Sequence, residues 1–230
     1  MIQVILWDLD GTILDFKAAE RNALINTFAS FDLGPCTDEM VHEYSALNDR
    51  YWKRLELGEI TKSELLVQRF EEFFSAHSID ISFASAFNAE YLLRLGDTIC
   101  FKDHAYELIQ SLHGRVKQYI VTNGNQIAQK RKLDNSNLLP LLDGVFISDI
   151  IGAEKPTKEF FHKVLLEIGE YNKNEILIIG DSLTSDILGG NNAGIRTCWY
   201  NPENLENPDP QRFHIDHIIQ NLNQLPELLR

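Results

Sequence analysis

Apolar residues follow two rhythms along this chain. At its start, Ile2, Val4, Ile5, Leu6 and Trp7 form an almost unbroken run. Such a run predicts a strand buried on both faces, as parallel sheets require. It stops at Asp8-Leu9-Asp10-Gly11-Thr12. Between about Asp15 and Leu95 the spacing becomes helical, with charges between the apolar positions. In "TKSELLVQRFEEFF", Thr61 and Glu64 predict a capping box, and Leu65, Leu66, Phe70, Phe73 and Phe74 mark a face. Gly58 ends the preceding helix. The stretch predicts a mainly helical unit of about four helices.

After Gly96, strand and helix patterns alternate. Strands are predicted at Val116–Gly124, Asp143–Asp149, Glu175–Ser182, 197–200 and 217–220, and a helix from Pro156 to Gly169. "NPENLENPDPQ" (201–211) reads as a proline-rich surface loop. The fold class that follows is α/β, a doubly wound parallel sheet of Rossmann-like type. Asp8 and Thr122 lie 114 residues apart, far more than one crossover helix needs. Thr122 to Lys155 is 33 residues and Lys155 to Asp181 is 26, each about one helix and one strand. The expected organisation is a catalytic core, 1–14 and 97–230, with a helical cap, 15–96, inserted after the first strand.

Composition narrows the chemistry. The chain has 230 residues, 44% of them hydrophobic, enough for one α/β domain with an insert. A formal net charge of -13 argues against nucleic acid and anionic membrane surfaces as partners. Cys36, Cys100 and Cys198 form no paired framework and read as reduced thiols in a cytoplasmic protein. The N-terminal apolar run is too short for a signal peptide. No stretch approaches the roughly 18 apolar residues of a membrane span.

Ligands of open parallel sheets bind beyond the carboxyl ends of the strands. Three apolar runs end there in polar groups: Asp8 with Asp10, Thr122 with Asn123, and Asp181 with Asp186 just after. Lys155 precedes a helix. Asp8, Asp10 and Asp181 offer oxygen ligands suited to Mg²⁺, which would relieve their mutual repulsion and neutralise a phosphate. Asp8 can then attack phosphorus as a nucleophile, and Asp10 can serve as acid and base. Gly11 lets the backbone approach a phosphate, Thr122 and Asn123 offer a hydroxyl and an amide to its oxygens, and Lys155 adds a point charge. Taken singly, each motif reads as a turn, a helix start or a cap. The four together, in this order and each at a strand or loop end, point to phosphoryl transfer.

The set Asp8-Leu9-Asp10-Gly11-Thr12, Thr122-Asn123, Lys155-Pro156 and Gly180-Asp181-Ser182 through Asp186 resembles the haloacid dehalogenase-like hydrolase superfamily, over the whole chain and including an α-helical (C1) cap. The resemblance implies Asp8 as nucleophile and Asp10 as acid/base. It implies Mg²⁺ held by Asp8, the backbone carbonyl of Asp10, and Asp181, with Asp186 at or beside the metal. "GDSLTSDILGGNNAGIRTCWYNP", "YWKRLELGEITKSELLVQRF" and "TNGNQIAQKRKL" are similar to the pyrimidine 5′-nucleotidase branch. That branch acts on nucleoside monophosphates such as UMP, dUMP and dTMP. Trp7 departs from the Phe common before the nucleophile.

Rival functions remain open to the core motifs. A phosphatase or phosphomutase of sugar phosphates or phosphoglycolate would use the same Asp pair. A phospho-acceptor signalling domain would be shorter and would lack both a cap and an acid/base at Asp10. In the cap, Arg50, Tyr51, Trp52 and Arg54 could stack a base and steer phosphate. The favoured reading is a helix with core aromatics and solvated charges. The seven histidines show no ligand spacing.

Overall fold

The computed structural model describes residues 1–206 and 208–229. It divides into two compact units: Met1–Asp15 with Cys100–Gln126 and Ser136–Arg230, and Phe16–Ile99 with Ile127–Asn135.

The first unit is built on six strands: β1 (Val4–Trp7), β2 (Lys117–Thr122), β3 (Gly144–Ile147), β4 (Ile176–Gly180), β5 (Arg196–Tyr200) and β6 (His217–Ile219). All pairings are parallel, in the order β3-β2-β1-β4-β5-β6. The doubly wound sheet read from the sequence is present. β1 and β4 are buried at every residue, as their unbroken apolar runs require. Sequence order reverses direction across β1 and β4, so the crevice beyond their carboxyl ends is where a ligand site belongs. On one face, Val4, Leu6, Ile176 and Ile178 cluster with Phe160, Phe161 and Val164.

The helices follow in chain order. α1 (Phe16–Ser30), α2 (Asp38–Glu56), α3 (Lys62–Ala76) and α4 (Ala84–Leu95) form the second unit. α5 (Ala105–Leu112), α6 (Gln126–Ser136), α7 (Ser148–Ile151), α8 (Lys158–Ile168), α9 (Leu188–Ala193) and α10 (Leu225–Leu228) alternate with the strands. α3 starts with the predicted capping box of Thr61 and Glu64. Gly58 follows α2 at φ +73°, a left-handed conformation that glycine adopts without steric cost. The proline-rich loop is irregular, and Asn207 within it lies outside the described residues.

The core of the second unit is aromatic. Tyr44 stacks on Phe70 with centroids 5.0 Å apart, and Phe28, Phe73, Phe74, Phe87 and Tyr91 surround them edge-on or tilted. Residues 127–135 of α6 cluster with this unit rather than with the sheet. Arg131 pairs with Asp97 at 2.5 Å, and Asn135 donates to the Gly96 carbonyl at 2.8 Å. Sequence spacing gives no sign of either contact. Among the described residues, no helix is long and apolar enough to cross a membrane.

Candidate active site

Asp8 is the first residue beyond β1. Its backbone N–H donates to the Ile179 carbonyl, which fixes the exit against β4. Its carboxylate is held from both sides: Oδ1 accepts from Lys155 Nζ at 2.8 Å and Oδ2 accepts from the Thr12 hydroxyl at 3.0 Å. Thr12 reaches further. Its oxygen accepts the Asp181 backbone N–H at 3.1 Å and lies 3.3 Å from Asp181 Oδ1. A residue of the first motif thus sets the distance between Asp8 and the fourth.

Lys155 is almost fully buried, and its three donors are all used. Nζ reaches Asp8 at 2.8 Å, the Val121 carbonyl at 2.8 Å and Asp186 Oδ1 at 2.6 Å. Burial opposes its charge, yet Asp186 and Asp8 together hold its pKa well above the ordinary lysine value. The Lys155 ammonium is therefore held between the Asp8 and Asp186 carboxylates. Asn123 is placed differently from expectation. Its Oδ1 accepts the Lys155 N–H and its Nδ2 donates to the Lys155 carbonyl, both at 2.8 Å. Its amide is spent on fixing the Lys155 backbone instead of facing a phosphate. Thr122, at the end of β2, is buried and accepts the Gly124 N–H at 3.0 Å.

Carboxylate oxygens of Asp8, Asp181 and Asp186 lie within 4.8 Å of one another. The Asp10 side chain is not one of these three, though its charge acts on Asp8. Burial pushes Asp8 up to about 7, against the pull of Lys155 and with the push of Asp186. Asp186 is raised to about 6 by burial, again against Lys155. Asp181 remains solvent-exposed as a residue, but the protein crowding its carboxylate and the charge of Asp8 raise it to about 7. One ammonium does not satisfy three carboxylates, and the donor set is all oxygen. That is the chemistry of a hard divalent cation.

Two glycines allow this crowding. Gly11 stands at φ +96°, and a Cβ there would overlap the Asp181 carboxylate. A Cβ on Gly180 would overlap that of Asp186. Gly11 therefore makes room for the Asp181 carboxylate, a role the sequence reading did not assign it. In the second unit, Tyr51 is buried and donates to Glu72 at 3.0 Å, while Arg50 pairs with the same Glu72. Arg54 lies over the Tyr51 ring, and Trp52 packs on the aromatic core. Along that stretch Tyr51 and Trp52 turn to the core, while Arg50 and Arg54 pair with the acids Glu72 and Glu59.

Comparison with known proteins now adds to the geometry. The model of the haloacid dehalogenase-like hydrolase family matches residues 2–194. The chain belongs to that family. It is 41% identical to the pyrimidine 5′-nucleotidase PynA of Streptococcus pneumoniae, over 88% of this chain and 85% of that one. It is 29% identical to the pyrimidine 5′-nucleotidase YjjG of Escherichia coli, over 98% and 96%. The HAD-hydrolase YfnB of Bacillus subtilis is 37% identical over 87% and 85%. A crystal structure of YfnB bound to magnesium superposes with a TM-score of 0.93 at 34% identity, covering 100% of this chain and 99% of that one. The protein is an enzyme of the phosphatase type within this family, as the resemblance of its motifs implied.

Proposed function

We propose that this phosphatase is a Mg²⁺-dependent 5′-nucleotidase that hydrolyses pyrimidine nucleoside monophosphates such as UMP, dUMP and dTMP. The observation that carries the chemistry is the Asp8 carboxylate, clamped between Lys155 and Thr12 with the Asp181 carboxylate alongside. In this reading a carboxylate oxygen of Asp8 attacks phosphorus while the bond to the sugar oxygen breaks. Asp10 gives that leaving oxygen its proton. Asp10 then takes a proton from water, whose oxygen attacks the aspartyl-phosphate, frees phosphate and restores Asp8. Lys155 holds Asp8 in line and adds positive charge, and Thr122 offers a hydroxyl to a phosphate oxygen. Gly11 and Asn123 bound the phosphate position through their backbones.

Asp8, Asp181 and the backbone carbonyl of Asp10 would hold Mg²⁺, with Asp186 at its side. The ion supplies the positive charge that lets crowded carboxylates and a phosphate dianion share one site. Residues 1–14 and 97–230 carry the chemistry, and the helical segment 15–96 chooses the substrate. The base preference is supported by the nucleotidases PynA and YjjG, similar to this chain over most of its length. The partner is a small phosphate ester met in the cytoplasm.

The test is phosphate release from UMP, dUMP, dTMP, AMP, GMP, glucose 6-phosphate and phosphoglycolate, with Mg²⁺ and with EDTA. The expected result is release that requires Mg²⁺ and favours the pyrimidine monophosphates. Activity confined to glucose 6-phosphate or phosphoglycolate would keep the chemistry and remove the nucleotidase reading. A trapped aspartyl-phosphate without turnover would return the phosphomutase and phospho-acceptor alternatives.

A further inference from the structure

The segment that carries Asp181 and Asp186 leaves β4 and makes one π-helical turn, Leu183–Ile187, before α9. π-Turns are rare and recur at functional sites. The turn carries Asp186 and brings its carboxylate within 4.8 Å of that of Asp181, just before the turn. Ser182 Oγ accepts the Ser185 N–H, and Asp186 Oδ2 accepts the Ser182 N–H. The apolar residues of the turn rest on Trp199. In the sheet register Trp199 of β5 stands opposite Gly180 of β4. Its indole is nearly fully buried and clusters with Ile187 and Phe213, with Leu183, Leu188 and Ile215 around them. The indole N–H points back across the turn and donates to the backbone carbonyl of Asp181 at 3.0 Å. A buried indole needs such an acceptor, and here the acceptor is the peptide of the carboxylate next to Asp8.

We infer that Trp199 is a positioning residue for the metal site. Its ring supports the turn beneath Asp186 through Ile187, and its N–H fixes the peptide that aims Asp181. The inference rests on the Mg²⁺ reading above. Partners that orient metal ligands without touching the metal commonly change affinity by about 10- to 100-fold when removed. Trp199→Phe keeps an aromatic ring and deletes the donor. Phe213→Leu trims the same cluster and leaves the indole N–H in place.

Two readouts are taken on the full chain. Calorimetric titration with MgCl₂ gives the dissociation constant, and hydrogen exchange gives the protection of amides 181–187. Trp199→Phe is expected to weaken Mg²⁺ binding by about 10-fold and to speed exchange across 181–187. Its kcat at saturating Mg²⁺ should stay within about threefold of wild type. Phe213→Leu should lower the melting temperature at least as much and leave Mg²⁺ binding within about twofold. Unchanged affinity in Trp199→Phe, or the same loss in Phe213→Leu, overturns the inference. A wild-type protein that binds no Mg²⁺ overturns the proposed metal dependence instead, and exchange at 181–187 then decides whether Trp199 holds the segment. Unaltered protection there sinks the positioning role.

Discussion

In the helical unit, Glu20 and Arg69 are each 1% exposed, with Asn48 between them and Asn88 on the far side of Arg69. Asn48 donates to Glu20 Oε1 at 2.8 Å, Arg69 donates to Asn48 Oδ1 at 2.7 Å, and Arg69 donates to Asn88 Oδ1 at 2.9 Å. Each of α1 to α4 contributes one member. The Arg69 guanidinium also lies over the Phe70 and Tyr91 rings, 5.0 and 5.3 Å from their centroids. In the sheet unit, three carboxylates crowd within 4.8 Å, and the one buried ammonium pairs with two of them, Asp8 and Asp186. Both regions bury charge. The first sets one negative charge against one buried positive charge, with the Asn48 amide between them and Lys17 beside Glu20. The second leaves an excess of negative charge, and its carboxyl pKa values rise accordingly. The balanced chain ties all four helices together through one set of hydrogen bonds; unbalanced burial leaves repulsion that a positively charged ligand would relieve.

Removing a charge should therefore have opposite consequences in the two places. Asp8→Asn is expected to cut turnover by at least about 10³-fold, because the attacking oxygen is gone. Its metal-free melting temperature should not fall, since one of the crowded negative charges has been removed. Asp10→Asn should slow both release of the leaving group and hydrolysis of the intermediate, visible as phosphoenzyme that persists after mixing. Near-normal turnover in Asp8→Asn would remove the nucleophile assignment. A sharply lowered melting temperature would show that the acidic cluster is structural.

Arg69→Met should do the reverse. It removes the buried positive charge of the chain, leaving Glu20 with Lys17 alone, and leaves two asparagine oxygens short of a donor. The expected loss is about 3 kcal/mol in urea unfolding, with Mg²⁺ affinity unchanged. Adding Glu20→Gln to Arg69→Met should recover part of that loss, and a double-mutant cycle measures the coupling. Purely additive effects would mean that the Glu20–Asn48–Arg69 chain does not act as a unit.

The acidic site was far more legible in the sequence than the buried chain of the helical unit. Asp8, Thr122 and Asp181 each end an apolar run, and a parallel sheet brings such ends to one edge whatever the loops do. That signal is local and survives in one dimension. Thr12 against Asp181 and Trp199 against Asp181 are contacts made only by the sheet order, so the roles of Thr12 and Trp199 were hidden. Asn123 was read for phosphate from its type alone, and the contact of its side chain with the Lys155 backbone was not legible. Arg69 is the instructive miss. Charged residues of an amphipathic helix are read as solvated, yet Arg69 stands four residues from both Leu65 and Phe73, inside the buried stripe. A charge placed on the apolar face at helical spacing was the available sign of a buried network.

The smallest expected effect isolates what burying one negative charge costs the helical unit. Burial raises the pKa of Glu20 above its ordinary 4.5, opposed by Lys17. Lys17 Nζ is 3.7 Å from the second carboxylate oxygen. A carboxyl whose folded pKa is raised favours the folded state fully below the unfolded pKa. That contribution is lost as pH rises from about 4.5 through the folded value. Above this window wild type carries a buried carboxylate, whereas Glu20→Gln carries a neutral amide whose oxygen can still accept from Asn48. The variant should match wild type in stability near pH 4.5 and exceed it at pH 8, by less than Arg69→Met loses. Its stability should also vary less with pH between those points. Urea midpoints at the two pH values measure this. Should Glu20→Gln be the less stable protein at pH 8, Glu20 and Arg69 would attract each other through Asn48 strongly enough to outweigh desolvation, and the balanced chain would be a source of stability as well as of specificity.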